Sequence, residues 1–364
     1  MAIDRRLLLN IDWVLLSAAL LLSAIGIATI HSATFGGPSA GLYLKQAYLV
    51  AGSLGVLVLT LALDYRRVAD RAFVLYLGTA AILTWILFFG PHIAGTQRWF
   101  FLGGIQVQPS ELAKVVAAIL VAKIFSDSRK DSLGLGDILG PGAAIGLLAL
   151  LIAAEPDLGT AFCLVPMFLA IALLAGLRLR AVLALFLALV VFGGLGWRYA
   201  LRDYQKTRIY TFLDPSLDPK GAGYQKIQSQ IAVGSGGFFG KGFRQGSQSQ
   251  LGYLPARHTD FIFSVLAEER GFLGVAAVLG LYLLVLFRAF EAARLARDRL
   301  GAFLVAGIAA TLAFQVVYNV AMVAGLVPVK GLPLPLMSYG GASVLSTMIG
   351  LGFILNVRMR RFAN

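Results

Sequence analysis

The chain has 364 residues, of which 59% are hydrophobic and only 13% are charged, and its formal net charge is +13. An ordinary soluble domain carries about 25% charged residues, and disordered chains and coiled coils are more polar still. Composition therefore excludes these classes and favours a helical protein that crosses a membrane several times. The basic excess is typical of residues that flank membrane spans, so we expect no nucleic-acid partner.

Ten apolar runs follow one another along the chain, each close to the length of about 20 residues that a membrane-spanning helix needs. They cover residues 11–31, 44–63, 72–90, 110–125, 139–154, 158–176, 181–200, 261–287, 301–324 and 341–357. Between the fifth and sixth runs, Glu155-Pro-Asp157 predicts a tight turn. We therefore predict an all-α polytopic membrane protein, a single integral membrane domain over residues 1–364 with ten transmembrane helices.

The arginines and lysines predict the orientation of the chain in the membrane. Most of those in the short connections lie on the side of the N-terminus, among them Arg5, Arg66, Arg288 and Arg358. The positive-inside rule then places both termini in the cytoplasm. One large loop, at about residues 201–260 between the seventh and eighth runs, is expected on the extracytoplasmic side.

A glycine-rich run at residues 234–243 lies within this outer loop. It is not a nucleotide-binding P-loop, because Ser235 and Gly242 stand where that motif needs Gly and Ser or Thr. Two interpretations remain open. The run is either a structural turn or a cradle whose backbone N–H groups, with Lys241 and Arg244, bind a phosphate.

Asp260 directly precedes the eighth apolar run, at the predicted outer mouth of a helix. The chain has 18 acidic residues. Setting aside those in predicted cytoplasmic segments, in turns before proline or in solvated basic stretches leaves Glu111, Glu155, Asp157, Asp260, Glu268 and Glu269. Asp260 is then either a helix N-cap or a general base among cations that hold an anionic substrate.

Three further features adjoin this mouth. Glu111 and Lys114 lie three residues apart on one face of the fourth run, either on a functional path or as a terminal Glu with an outward-reaching Lys. Arg98 lies beside aromatic residues, as a substrate contact or an interfacial anchor. The last outer loop, residues 325–343, is rich in proline and glycine, so we expect it to fold back against the mouth.

The sequence indicates neither a histidine-based metal site nor an intramolecular disulfide. The histidines His31, His92 and His258 lack the spacing of metal ligands, and the only cysteine, Cys163, has no disulfide partner in the chain.

Several motifs together resemble the RodA/FtsW family of cell-wall proteins, also called SEDS proteins. They are Gln108-Pro-Ser-Glu-Leu-Ala-Lys114, Pro156-Asp-Leu-Gly-Thr160, Asp218-Pro-Lys-Gly-Ala-Gly-Tyr224, His258-Thr-Asp-Phe-Ile-Phe263, and a last loop running from Asn319 through Lys330-Gly331 to Ser338-Tyr-Gly-Gly341. The run Gly236-Gly-Phe-Phe-Gly-Lys-Gly242, followed by Gln248-Ser-Gln250, is more similar to the elongation (RodA) branch than to the division (FtsW) branch. Glu155 departs from the family pattern, which usually has Gln there, and Arg270 stands where Leu is usual.

The resemblance implies a peptidoglycan glycosyltransferase of the bacterial plasma (inner) membrane that polymerises lipid II on the outer face during cell elongation. The essential aspartate of the family falls on Asp260, and its Glu/Lys pair falls on Glu111 and Lys114. His258 and Ser338 lie in matching motifs and are candidate substrate-binding residues. The resemblance also implies a class B penicillin-binding protein, a transpeptidase, and other elongation-complex proteins as partners.

The expected reaction is one inverting displacement that forms a β-1,4 glycan strand, with Asp260 as general base. Arg208, Lys241, Arg244 or a divalent cation (Mg²⁺ or Mn²⁺) would stabilise the leaving diphosphate, and the sequence does not choose among them. Three alternatives remain open: a flippase for lipid II, a ligase or polymerase of another lipid-linked glycan, and a non-catalytic scaffold of the cell-wall complex.

Overall fold

The structure is a computed structural model that describes residues 10–361 apart from 38, 92–96, 103–104, 129, 131 and 200–202. The predicted cytoplasmic Arg5 and the junction between the seventh run and the outer loop lie outside the described residues.

Helices dominate the described chain. They are α1 (Trp13–Thr34), α2 (Leu42–Ala62), α3 (Tyr65–Ala69), α4 (Ala72–Phe89), α5 (Pro109–Asp127), α6 (Leu135–Ala154), α7 (Leu158–Leu174), α8 (Leu179–Tyr199), α9 (Asp203–Leu213), α10 (Ala222–Ser235), α11 (Ser247–Gln250), α12 (Ile262–Arg294), α13 (Arg299–Val323) and α14 (Gly341–Met359). A 3₁₀ turn, Pro215–Leu217, lies between α9 and α10.

Membrane-spanning character is clear for part of this set. Within the described residues, α1, α2, α4, α6, α12, α13 and α14 are long and apolar enough to cross a membrane, and α7 is apolar but shorter. A helix lies at each of the ten predicted positions. The chain is therefore a mostly helical integral membrane protein, whereas the count of ten spans stays a prediction.

Aspartates define where several helices begin. Asp12 accepts a hydrogen bond from the backbone N–H of Leu15 at 3.1 Å and so caps α1. Asp298 caps α13 through Gly301 at 2.8 Å. Asp157 caps α7 and completes the tight turn after α6 that the sequence predicts. Each cap satisfies an N–H group that the first helical turn leaves unbonded.

Helix α13 lies at the centre of the bundle, where it packs against α5, α7, α12 and α14. At one end of the bundle the buried carboxylate of Asp12 pairs with Arg288 at 2.8 Å and with Arg358 at 2.7 Å. These pairs join α1 to α12 and α14. A buried charge is stable only when it is paired, so this cluster fixes three helix ends relative to one another.

A short antiparallel hairpin adds two three-residue strands to the predicted helical architecture. Strand β1 (Phe100–Leu102) pairs with β2 (Ile105–Val107), with Phe100 opposite Val107. Aromatic and β-branched residues on both sides of a Gly-Gly dipeptide are a hairpin signal that the helical periodicity concealed. The hairpin leads directly into Pro109, the first residue of α5.

A sharp kink divides α12 at Gly271, which has a φ of +62°. The glycine-rich run packs against this kink. A Cβ at Gly240 would lie 2.2 Å from the carbonyl oxygen of Glu269, and one at Gly236 would lie 2.0 Å from that of Ala267. The two backbones approach so closely because neither glycine has a side chain.

We predict that Gly236→Ala destabilises the protein by about 1–3 kcal/mol, because the added methyl group overlaps the Ala267 carbonyl and forces the two backbones apart. Thermal unfolding of the purified protein in detergent measures the change. The matched control is Gly234→Ala in α10, where a Cβ meets nothing within 4 Å. Alanine there should be neutral or stabilise the helix by up to about 1 kcal/mol. Equal unfolding temperatures for the two variants would contradict the proposed packing.

Candidate functional site

Asp260 lies in irregular backbone immediately before α12, and its side chain is partly buried. The side-chain amide of Asn319 in α13 donates to the backbone carbonyl of Asp260 at 3.0 Å and to that of Leu332 at 2.8 Å. Gly331 lies beside the carboxylate, since a Cβ there would be 3.3 Å from Oδ2 of Asp260. Asn319 therefore holds Asp260 against the loop between α13 and α14.

That last loop folds back against the mouth, as predicted. The hydroxyl of Ser338 donates to the Thr259 carbonyl at 2.6 Å and accepts from the Leu334 backbone N–H at 2.8 Å. The backbone N–H of Tyr339 donates to the His258 carbonyl at 2.9 Å. Ser338 and the backbone of His258 thus hold the segment that precedes Asp260.

The N-cap interpretation of Asp260 is wrong. Phe261 occupies the N-cap position of α12, and within the described residues no side-chain hydrogen bond caps this helix. Burial raises the pKa of Asp260 to about 6, while the charges of Arg98 and Arg208 lower it and that of Asp157 raises it. Asp260 is ionised at neutral pH and close to the range in which a general base works well.

Arg98 and Arg208 reach this site from different elements. Arg98 precedes β1 and is partly buried, and Arg208 lies exposed on α9. Lys330 adds a third positive charge from the last loop, with its ammonium 4.0 Å from the ring centroid of Phe162. Burial and the nearby Arg208 lower the pKa of Lys330 to about 8. The surroundings of Asp260 therefore suit an anionic ligand.

Asp157 anchors a buried polar network beside this site. Its Oδ2 accepts hydrogen bonds from Nε2 of Gln108 at 2.7 Å and from the hydroxyl of Ser110 at 3.1 Å. Its Oδ1 accepts from the backbone N–H of Thr160 at 3.2 Å. The network joins the start of α5 to the start of α7 and places a fixed negative charge near Asp260.

Glu111 and Lys114 form a buried ion pair within α5, with 2.9 Å between Oε2 and Nζ. Ser346 in α14 donates to the same Glu111 oxygen at 2.9 Å. The pair is thus enclosed in the bundle, and the interpretation of an outward-reaching lysine is wrong. Asp157 acts electrostatically on Lys114, so the pair adjoins the Asp157 network.

Lys241 and Arg244 belong to a second cluster, at the kink of α12. Lys241 pairs with the fully buried carboxylate of Glu268 at 2.8 Å. Arg244 donates to Nε2 of His31 at 2.8 Å and lies 3.9 Å from the ring centroid of Phe35. Neither cation is among the charges that shift the pKa of Asp260.

The glycine-rich run is bonded through its backbone to α12 at the kink, and we call this backbone contact the clasp. The backbone N–H groups of Lys241 and Gly242 donate to the carbonyls of Glu268 and Glu269, each at 3.0 Å. Donors that are already bonded cannot cradle a phosphate, so of the two interpretations of this run the structure favours the structural turn.

Sequence reasoning retained Asp157 as one of six acids but did not select it as a site residue, and it overlooked Ser346. The Gln108-Pro-Ser110 motif at the start of α5 was the available signal for the Asp157 network. The described part of the chain contains no group of three or more His, Cys, Asp or Glu residues that could hold a metal ion. A divalent cation stays a prediction.

Known proteins resemble this chain over nearly its whole length. The model of the FtsW/RodA/SpoVE family, described as "Cell cycle protein", matches residues 6–362. The chain is 37% identical to "Peptidoglycan glycosyltransferase MrdB" of Escherichia coli (strain K12), over 97% of this chain and 94% of that one. It is 31% identical to "Peptidoglycan glycosyltransferase RodA" of Treponema pallidum (strain Nichols), over 97% and 98%.

Solved structures agree with these relatives. A chain from "Structural coordination of polymerization and crosslinking by a peptidoglycan synthase complex" matches with a TM-score of 0.84 and 35% identity, over 97% of this chain and 99% of that one. The rod shape determining protein RodA of Thermus thermophilus matches with a TM-score of 0.73 and 31% identity, over 97% and 98%. The fold and site define a polytopic membrane protein with an acidic centre among cations. The chain belongs to the FtsW/RodA/SpoVE family.

We predict that Lys114→Met destabilises the protein by about 3–5 kcal/mol, because it leaves Glu111 charged and uncompensated inside the bundle. The double variant Glu111→Leu/Lys114→Met should recover most of this loss. Lys123→Met is the matched control on α5, since Lys123 pairs with Asp70 and Asp127 at the surface and should contribute about 0–1 kcal/mol. Unfolding in detergent measures all three, and a double variant as unstable as Lys114→Met would refute the pairing.

Proposed function

We propose that this protein is a peptidoglycan glycosyltransferase that polymerises lipid II into β-1,4 glycan strands on the outer face of the bacterial plasma membrane. The observation behind the proposal is the partly buried Asp260, which Asn319 holds against the last loop and on which the charges of Arg98 and Arg208 act. Relatives named peptidoglycan glycosyltransferase align over nearly the whole chain. Similarity to the rod shape determining RodA supports a role in cell elongation and rod shape.

The proposed reaction is a single displacement. The 4-hydroxyl oxygen of one saccharide attacks the anomeric carbon of a second, the bond from that carbon to the diphosphate oxygen breaks, and the electron pair leaves with the diphosphate. Asp260 takes the hydroxyl proton as the new bond forms. One displacement inverts an α-linked donor to a β-linked product.

The leaving diphosphate needs positive charge and no proton donor. Arg98 and Arg208 are candidates for this role because their charges act on Asp260, and Lys330 is a third because Arg208 acts on it and it precedes Gly331, beside the Asp260 carboxylate. Lys241 and Arg244 are engaged elsewhere, so they are weaker candidates for diphosphate binding than the sequence suggested. A divalent cation would supply the same stabilisation by coordinating diphosphate oxygens.

The proposed topology follows the sequence. All 364 residues form one integral membrane domain with ten transmembrane helices and cytoplasmic termini. The segment 201–260 and the site at Asp260 lie on the extracytoplasmic side of the membrane. Helices at all ten predicted positions support this topology, as does the basic composition of the short connections on the side of the N-terminus.

The proposed partner is a class B penicillin-binding protein that supplies the transpeptidase, together with other elongation-complex proteins. The similar chain with the TM-score of 0.84 comes from a complex that couples polymerisation to crosslinking, and this supports the proposal. A flippase or a scaffold would need no general base, so an ionised Asp260 among cations favours the polymerase over both.

Asp260→Asn should lower the rate of lipid II polymerisation at least about a hundredfold, because an amide cannot take the hydroxyl proton. Glycan strands made by the purified full chain from lipid II in detergent or vesicles are measured by gel electrophoresis. Asp214→Asn is the control, since Asp214 is exposed in the same outer segment and caps only the local Pro215–Leu217 turn. A normal rate for Asp260→Asn would remove the base assignment, and lipid II translocation without polymer would favour a flippase.

The polymerisation rate should rise as the pH passes about 6, because Asp260 must lose its proton before it can act as base. Below this value the carboxyl is protonated and the rate should fall about tenfold per pH unit. Initial rates between about pH 5 and 7 at saturating lipid II measure this limb. A wild-type rate that stays constant over this pH range would contradict the assignment of Asp260 as the base.

A further inference from the structure

Glu155 is the buried acid that the proposed mechanism leaves unused. Its side chain is completely inaccessible to solvent, and neither carboxyl oxygen has a hydrogen-bond partner among the described residues. Asp157, two residues further on, has hydrogen bonds to both of its oxygens. Unmet hydrogen-bonding capacity in a protein interior is costly, so a buried carboxyl without a partner calls for an explanation.

The surroundings of Glu155 connect it to Asp260. Arg98 and Asp157 are charged groups that act on Glu155, and the same two residues act on Asp260. Nε of Arg98 is also buried and has no hydrogen-bond partner in the part of the chain that the structure describes. The α6–α7 turn also leads into Gly159, where a Cβ would lie 3.6 Å from the carbonyl oxygen of Gly331, the residue beside the Asp260 carboxylate. Two polar side chains with unused bonding capacity therefore lie within electrostatic range of the proposed active site, on segments that lead to it.

Glu155 is mostly neutral at physiological pH. Burial raises its pKa to about 8, Asp157 contributes to the rise and Arg98 opposes it. A neutral carboxyl has one O–H donor and free acceptor positions on both oxygens. Hydroxyl and N-acetyl groups of a saccharide have the same mixture of donors and acceptors, whereas an ionised diphosphate has acceptors alone. The negative charge of Asp157 also disfavours a phosphate at this point.

We propose that the carboxyl group of Glu155 binds the saccharide of the lipid-linked substrate in the site that contains Asp260. The proposal rests on the proposed glycosyltransferase function and assigns a residue to the sugar. Arg98 acts on both acids, so it is placed to meet the diphosphate of the same substrate. Substrate binding then supplies the hydrogen bonds that Glu155 and Nε of Arg98 do not make within the described chain.

The first test compares Glu155→Gln with Glu155→Leu in the purified full chain, using lipid II as the probe. The amide keeps a donor and an acceptor, so KM at about pH 7 should stay within about twofold of wild type. Leucine removes both, and KM should rise about ten- to a hundredfold with a smaller change in kcat. Equal KM values for leucine and glutamate would overturn the proposal.

Unfolding in detergent separates a binding role from a structural one. Glu155→Leu should be at least as stable as wild type, because it removes a buried polar group that has no partner within the described chain. A structural role predicts that Glu155→Leu is less stable than wild type. Lower stability of this variant, together with an unchanged KM in both Glu155→Gln and Glu155→Leu, refutes the proposal.

A pH series supplies a further readout. Between about pH 7 and 9 the wild-type Glu155 carboxyl ionises and its donor is lost, whereas the amide of the Glu155→Gln variant does not titrate. The ratio of the Glu155→Gln rate to the wild-type rate, at subsaturating lipid II, should therefore rise about tenfold over this interval. Lys330 titrates in the same range but is present in both proteins, so its contribution cancels in the ratio. A flat ratio would contradict the proposal.

A binding measurement keeps this test independent of the glycosyltransferase assignment. In an Asp260→Asn background, which should not turn over, binding of lipid II to the full chain is measured with and without Glu155→Leu. Weaker binding by at least about tenfold supports the saccharide contact even if no polymer forms in any variant. If wild type makes no polymer while Glu155→Leu weakens binding, the proposed function fails and the inference about Glu155 stands. Unchanged binding overturns the inference alone.

Discussion

The side-chain amide of Asn319 is the contact on which the geometry of the site depends. It is fully buried and donates to two backbone carbonyls, those of Asp260 and Leu332, which lie in irregular segments without helical donors. Backbone polar groups inside a membrane protein need partners within the protein. One amide thus fixes the segment before α12 against the last loop, and the absence of a side chain at Gly331 lets that loop lie beside the Asp260 carboxylate.

The buried acids fall into two kinds with different consequences. Glu268 has four hydrogen-bond partners, namely Lys241, the hydroxyl of Ser247 and the backbone N–H groups of Gln248 and Ser249. Such a carboxylate holds residues 241–249 against α12 and has little capacity left for a ligand. Glu155, by contrast, has no hydrogen-bond partner among the described residues, and two of the charges that shift the pKa of Asp260, those of Arg98 and Asp157, act on it through space. A buried acid that lacks hydrogen-bond partners is therefore a candidate for ligand binding, whereas one that has them stabilises the fold.

Sequence reasoning located the helices and Asp260 because both depend on local or compositional signals. A long apolar run predicts a helix whatever that helix packs against. The chain has so few acidic residues that setting aside those with an evident other place left a short set of candidates for the site. The same reasoning named several candidate cations without separating them. Arg98 and Arg208 act on Asp260, whereas Lys241 pairs with Glu268 and Arg244 with His31, although both are nearer to Asp260 in the chain than Arg98 is. Which cation meets which acid is decided by helix packing, and no local pattern contains that information.

The kink at Gly271 explains why these two clusters remain apart. It ends the N-terminal part of α12, where every residue from Ile262 to Glu269 is buried, and the longer part that follows is apolar and exposed over much of its surface. The glycine-rich run clasps this kink through the backbone N–H groups of Lys241 and Gly242. Because Lys241 pairs with Glu268 near the kink, at one end of this N-terminal part, it does not compete for the carboxylate of Asp260 at the other end. The same rigid segment thereby presents an acid that is ionised at neutral pH and that keeps its proton-accepting capacity among the surrounding cations.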